Sequence, residues 1–138
     1  MDYQERKQKD LEFGLKCEDE LLGLFREKID NLLCKTNQNA IVDYISPKTY
    51  LELKSRNCNH NRYDEIMIGK NKIEFAMKTK KNVYFAYNFY DGVYYYKFNS
   101  KDVQDGNITF KLGGRCDRGR DERKICGFIK SELLTKLE

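Results

Sequence analysis

Between residues 83 and 98 two aromatic-rich runs close on Asp91-Gly92, and a chain that carries them has to build a sheet around that pair. Asp-Gly between apolar runs is a strong hairpin signal, because a type I′ turn needs positive φ at both central residues. The turn is therefore expected at Asp91-Gly92. Continuous apolar strands are buried on both faces. Most of Tyr84, Tyr87, Phe89, Tyr90, Tyr94, Tyr95 and Tyr96 are accordingly expected in a core, in preference to a platform on which unpaired bases stack.

The remaining elements are arranged around that hairpin. Leu11, Leu15, Leu22, Phe25, Ile29 and Leu33 recur at helical spacing and predict an amphipathic helix over 10–33. Residues 40–46 and 49–56 read as two short strands about the single proline, Pro47. A polar loop at 57–62 leads to a strand at 63–69, a turn at Gly69 and a helix over 70–80. Residues 108–112 give another strand, and 125–138 a last strand followed by a short helix. The order helix, strands, helix, strands predicts an α/β fold, bordering on α+β, with a central sheet. At 138 residues the chain is expected to form one domain over 1–138.

Composition narrows the class. The longest apolar run, 83–90, is interrupted by Asn88 and falls well short of the ~20 residues of a spanning helix, so no membrane association is expected. The first ten residues are too polar for a signal peptide, which predicts an intracellular protein. Five cysteines without a CxxC spacing argue for free thiols and against a disulfide framework or zinc ribbon, although Cys58-x-His60 has the look of half a metal site. Charge is regional: residues 1–33 carry six Lys/Arg against nine Asp/Glu, and 48–81 carry nine against four. A basic region suits a phosphate-bearing partner, and equally serves solubility.

Three acids interrupt apolar patterns. Glu18 fills the gap in the helical stripe between Leu15 and Leu22. Asp43 shares a strand face with Ile41 and Ile45. Glu52 alternates with Leu51 and Leu53 and shares its face with Tyr50, Lys54 and Arg56. Converging carboxylates repel unless a hard cation binds them. Mg²⁺ takes one or two carboxylates, waters and a substrate phosphate, and Lys54 would stand beside it, able to orient a water for attack on phosphorus.

At these residues the sequence resembles the PD-(D/E)xK nuclease superfamily, the restriction-endonuclease-like fold. The likeness rests on Gly14-x-x-x-Glu18, Asp43 near a strand, and Glu52-Leu53-Lys54 within Tyr-Leu-Glu-Leu-Lys-Ser-Arg. It covers roughly residues 10–90 by element order, with Val42 in place of the family's proline, a residue that makes no contact with the metal. The whole chain, with Ile68-Gly69-Lys70-Asn71-Lys72 and the glycine- and arginine-rich 113–119, also looks like small stand-alone members from large DNA viruses.

The resemblance implies a mixed central sheet flanked by helices and an Mg²⁺- or Mn²⁺-dependent DNA endonuclease of repair, recombination or genome processing. It implies Asp43 and Glu52 as metal ligands, Glu18 as an assisting acid and Lys54 as activator of water. Arg56, Lys70, Lys72, Arg115, Arg118 and Arg120 are the expected contacts to nucleic acid, the arginines by forked donors on phosphate. For the loop at 115–124 a salt-bridged surface, its arginines paired with Asp117, Asp121 and Glu122, is the equal alternative. A chain this small would call for a homodimer to cut two strands. If viral, it would work in host cytoplasm or virion. Two other classes share the charge and aromatics: a catalytically silent nuclease-fold protein that binds nucleic acid or joins a larger complex, and an RNA-binding aromatic sheet module. Only the enzyme needs Glu18, Asp43, Glu52 and Lys54 to converge.

Overall fold

The computed structural model describes residues 2–37, 39–114 and 120–138. The first helix, α1, runs Tyr3–Lys28, and Asp2 caps it by accepting the Glu5 N–H at 2.8 Å. The helix thus starts earlier than its apolar periodicity suggests, because a cap and not the stripe sets its beginning. It also ends earlier. Asp30 accepts the Leu32 N–H at 2.9 Å and the Ser46 hydroxyl at 2.5 Å, replacing helical bonds with a side-chain turn. Leu33 is still fully buried, so the end of the stripe reports burial after helicity has stopped. Gly23 sits exposed in this helix, and a Cβ there would meet nothing within 4 Å. Gly23→Ala should raise stability by about 0.5–1 kcal/mol, the helix cost of a glycine. Urea titration checks this, and an unchanged or lower midpoint would contradict it.

The strands follow as β1 (Cys34–Lys35), β2 (Tyr44–Ile45), β3 (Thr49–Ser55) and β4 (Glu65–Gly69). After them come α2 (Lys70–Lys78), β5 (Asn82–Phe89), β6 (Gly92–Lys97), α3 (Ser100–Gln104), β7 (Ile108–Gly113), β8 (Lys124–Lys130) and β9 (Thr135–Lys136). Six of them form a mixed sheet in the order β1-β2-β3-β5-β6-β9. Its one parallel pair is β3 with β5, reached by the crossover through β4 and α2; the others are antiparallel. The fold is therefore α/β with a mixed sheet, as expected. A second sheet, β4-β8-β7, was not legible in the sequence.

Alternation along β3 and β5 splits the interior in two. Leu51, Leu53 and Ala86 face α1 and pack with Cys17, Phe25, Leu33 and Tyr44. Val83, Phe85, Tyr87 and Phe89 face the other way, against Ile73 and Ala76 of α2 and Ile66, Ile68, Ile108 and Ile129 of the small sheet. Most of the aromatic runs are core, and Tyr90 is 71% exposed at the hairpin tip.

Two local expectations need correction. Phe89 pairs with Gly92, so Tyr90 and Asp91 are the central residues of the turn, and positive φ occurs at Gly92 (135°) but at neither of them. Asp91 is drawn out of the type I′ conformation by His60, whose N–H it accepts at 2.9 Å and whose Nδ1 lies 2.5 Å from its other oxygen. His60, half of the Cys58-x-His60 pair, also stacks on Tyr94 at 4.2 Å. At the C-terminal end, the short helix shrinks to a 3-10 turn over Ser131–Leu133, and β9 then covers the open edge of β6, Tyr94 pairing with Lys136.

Candidate active site

β2 has only two residues, so beyond Tyr44 the edge of β3 has no strand partner. Asp43, in the bend just before β2, takes its place. Its N–H donates to Leu51 O at 3.1 Å, and its Oδ2 accepts the Leu53 N–H at 2.7 Å. The expectation that Asp43 shares an apolar strand face with Ile41 and Ile45 is corrected here: both isoleucines are exposed, and Val42 and Tyr44 are the buried neighbours. What holds Asp43 is an unpaired backbone N–H, since a buried donor must find an acceptor.

Glu52 is 2% exposed, in the middle of β3. Its Oε2 has no hydrogen-bond partner, although Lys72 Nζ stands 3.1 Å away as a counter-charge. Lys72 reaches in from the first turn of α2 and also donates to the carbonyl of Ile41, so it ties the Asp43 bend to Glu52. Glu18 comes from α1, with its backbone carbonyl accepting the Tyr44 hydroxyl at 2.6 Å and Lys35 Nζ 4.0 Å from its Oε2.

The three acids converge on Asp43, whose carboxyl feels both Glu18 and Glu52. Burial raises the Asp43 carboxyl, but hydrogen bonds from Glu18, Glu52 and the Leu53 N–H, with the charge of Lys54, outweigh it and hold Asp43 below the usual range. The other two move the opposite way. Burial first, and then the hydrogen bond and negative charge of Asp43, push Glu18 and Glu52 up to about 8. The cluster therefore concentrates its negative charge on Asp43 and draws Glu18 and Glu52 toward their protonated forms. Lys54, exposed at the end of β3, acts on both Asp43 and Glu52 through its charge.

Among the described residues no three acidic, histidine or cysteine side chains form a ready-made metal cage. Mg²⁺ needs none, since it is held by one or two carboxylates with waters and substrate oxygens. The all-oxygen donor set and the orphaned Glu52 Oε2 fit such an ion. Glu18 and Asp43 line the floor of a cleft of about 460 Å³, between the first half of α1 and the end of β3.

The expected nucleic-acid contacts divide. Arg56 lines the cleft, its guanidinium fixed by the carbonyls of Ser55 and Met67 at 3.3 and 3.4 Å. Lys70 is exposed at the start of α2, whereas Lys72 is turned inward to Glu52. Arg120 lies 4.2 Å over the ring of Tyr3, on the first turn of α1. Arg115 and Arg118 lie outside the described residues. Arg123 grips Asp121 through two contacts of 3.0 Å, the pairing that the salt-bridged view of this loop predicts. Lys72, expected on nucleic acid, is thus a cation of the acidic cluster; Lys35, the other, was missed as a site residue, and nothing in the sequence marked it.

A sequence-family model described as "Phage putative PDDEXK endonuclease" matches residues 8–133. No curated protein and no solved structure matches the chain.

Proposed function

The chain belongs to this phage PDDEXK endonuclease family, and from that premise we propose that it is a metal-dependent deoxyribonuclease. The observation that supports this best is the convergence of Glu18 and buried Glu52 on Asp43, with Glu18, Asp43 and Lys54 lining a cleft. In this reading Asp43 and Glu52 hold a divalent ion, Mg²⁺ or Mn²⁺, and Glu18 assists. The ion supplies a Lewis acid that activates water and offsets charge building on the phosphate oxygens.

The chain's own groups do the rest. The Leu53 N–H and the Lys72 ammonium fix the directions of Asp43 and Glu52. Lys54 orients the attacking water and places positive charge beside the transition state. Arg56, already held by two backbone carbonyls, meets a phosphate with little further loss of side-chain entropy. Activity of this kind fits DNA repair, recombination or genome processing in a phage-infected cell, with a homodimer cutting two strands.

One observation favours a second reading, a silent member that only binds nucleic acid: the Lys72 ammonium stands 3.1 Å from Glu52 Oε2, on the oxygen that an ion would need. A single experiment separates the two. Labelled linear, branched and single-stranded DNA is incubated with the protein and Mg²⁺ or Mn²⁺, beside an Asp43→Ala control. Metal-dependent cutting lost in the control supports the enzyme. DNA binding without cutting, and without measurable uptake of Mn²⁺, supports the silent protein.

A further inference from the structure

We propose that the cleft receives an unpaired nucleotide, its phosphate on the cationic strand wall and its base against Leu11 and Leu15 of the helix wall, with Gly14 the point of closest approach. The inference rests on the nuclease reading of the acidic floor and specifies the substrate class that this floor would act on.

Lys7, Asp10, Leu11, Gly14, Leu15 and Glu18 all line the cleft. Their spacing places them on one face of α1, so the helix presents a single strip running from the Lys7 and Asp10 pair of charges, over Leu11 and Leu15, to Glu18. That strip does no work for the core. Before Cys17 no described residue of α1 is buried, and Leu11 and Phe13 are 40% and 52% exposed. Glycine is a poor helix residue, and packing among the described residues does not require it at position 14, where an added Cβ would meet none of them within 4 Å. What the missing side chain does is leave the cleft open one helical turn above Glu18.

The opposite wall, Lys54, Ser55, Arg56 and Asn57, is polar and cationic. A volume of about 460 Å³ is within the ~300–1,000 Å³ of small-ligand sites. The Leu11 and Leu15 side chains facing a cationic wall in a space of that size suit a nucleotide whose base is free to leave the stack. A duplex keeps its bases stacked inside and offers backbone to such a surface. Unpaired bases, in contrast, gain affinity from apolar and aromatic contact irrespective of sequence.

Gly23 supplies the control, because it lies in the same helix, is equally open to an added side chain and does not line the cleft. Fluorescence anisotropy would compare a labelled oligo-dT with a blunt duplex, using Glu52→Gln protein in Mg²⁺ so that neither is consumed. Tighter binding of the single strand is expected. Gly14→Leu in that background should weaken single-strand binding about tenfold or more, while Gly23→Leu leaves it unchanged and neither variant melts lower. Equal affinity for both DNAs, or a Gly14→Leu variant that matches Gly23→Leu, would overturn the assignment. Cleavage by the unsubstituted protein keeps the two levels apart. If it cuts duplex DNA and Gly14→Leu cuts as well, the nuclease reading stands and the nucleotide site falls; if no DNA is bound or cut in any form, both fall.

Discussion

Asp43→Ala and Glu52→Ala should each lower metal-dependent DNA cleavage by about a thousandfold or more, with the far-UV spectrum and cooperative unfolding retained. Metal catalysis supplies several kcal/mol of transition-state stabilisation, and each ~1.36 kcal/mol is a factor of ten in rate. Either substitution removes a candidate ligand, and Asp43→Ala also leaves the Leu53 N–H without its acceptor. That loss costs roughly 1–3 kcal/mol of stability, so Asp43→Asn, which keeps an acceptor oxygen, is the cleaner probe. Lys54→Ala should be strongly impaired with little change in stability, because Lys54 is exposed and acts through its charge. Glu18→Gln should be only partly impaired, since the amide can still donate to Asp43. Rates under single-turnover conditions decide the matter. Cleavage unchanged in both Asp43→Ala and Glu52→Ala would refute the assigned site.

The parts of this arrangement that could be read from the sequence are those with local causes. The β5–β6 hairpin was legible because an uninterrupted aromatic run leaves few alternatives to a buried strand. Its turn was not, because the conformation of Asp91 is decided by His60, which arrives from a loop 31 positions away. Glu18 stood out as an acid on an apolar helix face, and Glu52 as an acid between two leucines of a strand. Asp43 was singled out for a pattern with Ile41 and Ile45 that the fold does not use. Its position follows from the two-residue length of β2, a quantity set by pairing and not by propensity. The small sheet was invisible for a similar reason: Met67 pairs with Phe128 across a long stretch of chain, with no periodicity to link them. That Lys72 turns inward depends on how α2 packs over the parallel pair. The sequence alone shows it as one more lysine in a basic segment.

The same cluster predicts how the metal-free protein responds to pH. Glu18 and Glu52 have folded-state values raised from 4.5 to about 8, so the native state holds protons that the unfolded chain releases above about 4.5. For a raised value the contribution to stability is fully present below the unfolded pKa and is lost as pH climbs through the folded one. In chelator, urea midpoints should therefore fall between about pH 4.5 and pH 8 and level off above. A tenfold gain in proton affinity on folding corresponds to ~1.4 kcal/mol, so even one such factor for each glutamate is a sizeable share of a domain's ~5–15 kcal/mol. Asp43 works in the opposite sense and only at lower pH, because its value is depressed. Glu52→Gln removes one ionisable member while keeping an amide that can donate to Asp43. It should match the unsubstituted protein near pH 5 and exceed it near pH 8, while losing cleavage. Mg²⁺ should reverse the loss in the unsubstituted protein only, since binding displaces the two acid protons and stabilises by about 2.7 kcal/mol at a hundredfold excess over Kd. Urea midpoints that rise across this window in chelator, or a Glu52→Gln variant no more stable than its parent at pH 8, would show that the carboxylates are not held together as described. A midpoint gain in Mg²⁺ that survives Glu52→Gln would place the ion elsewhere.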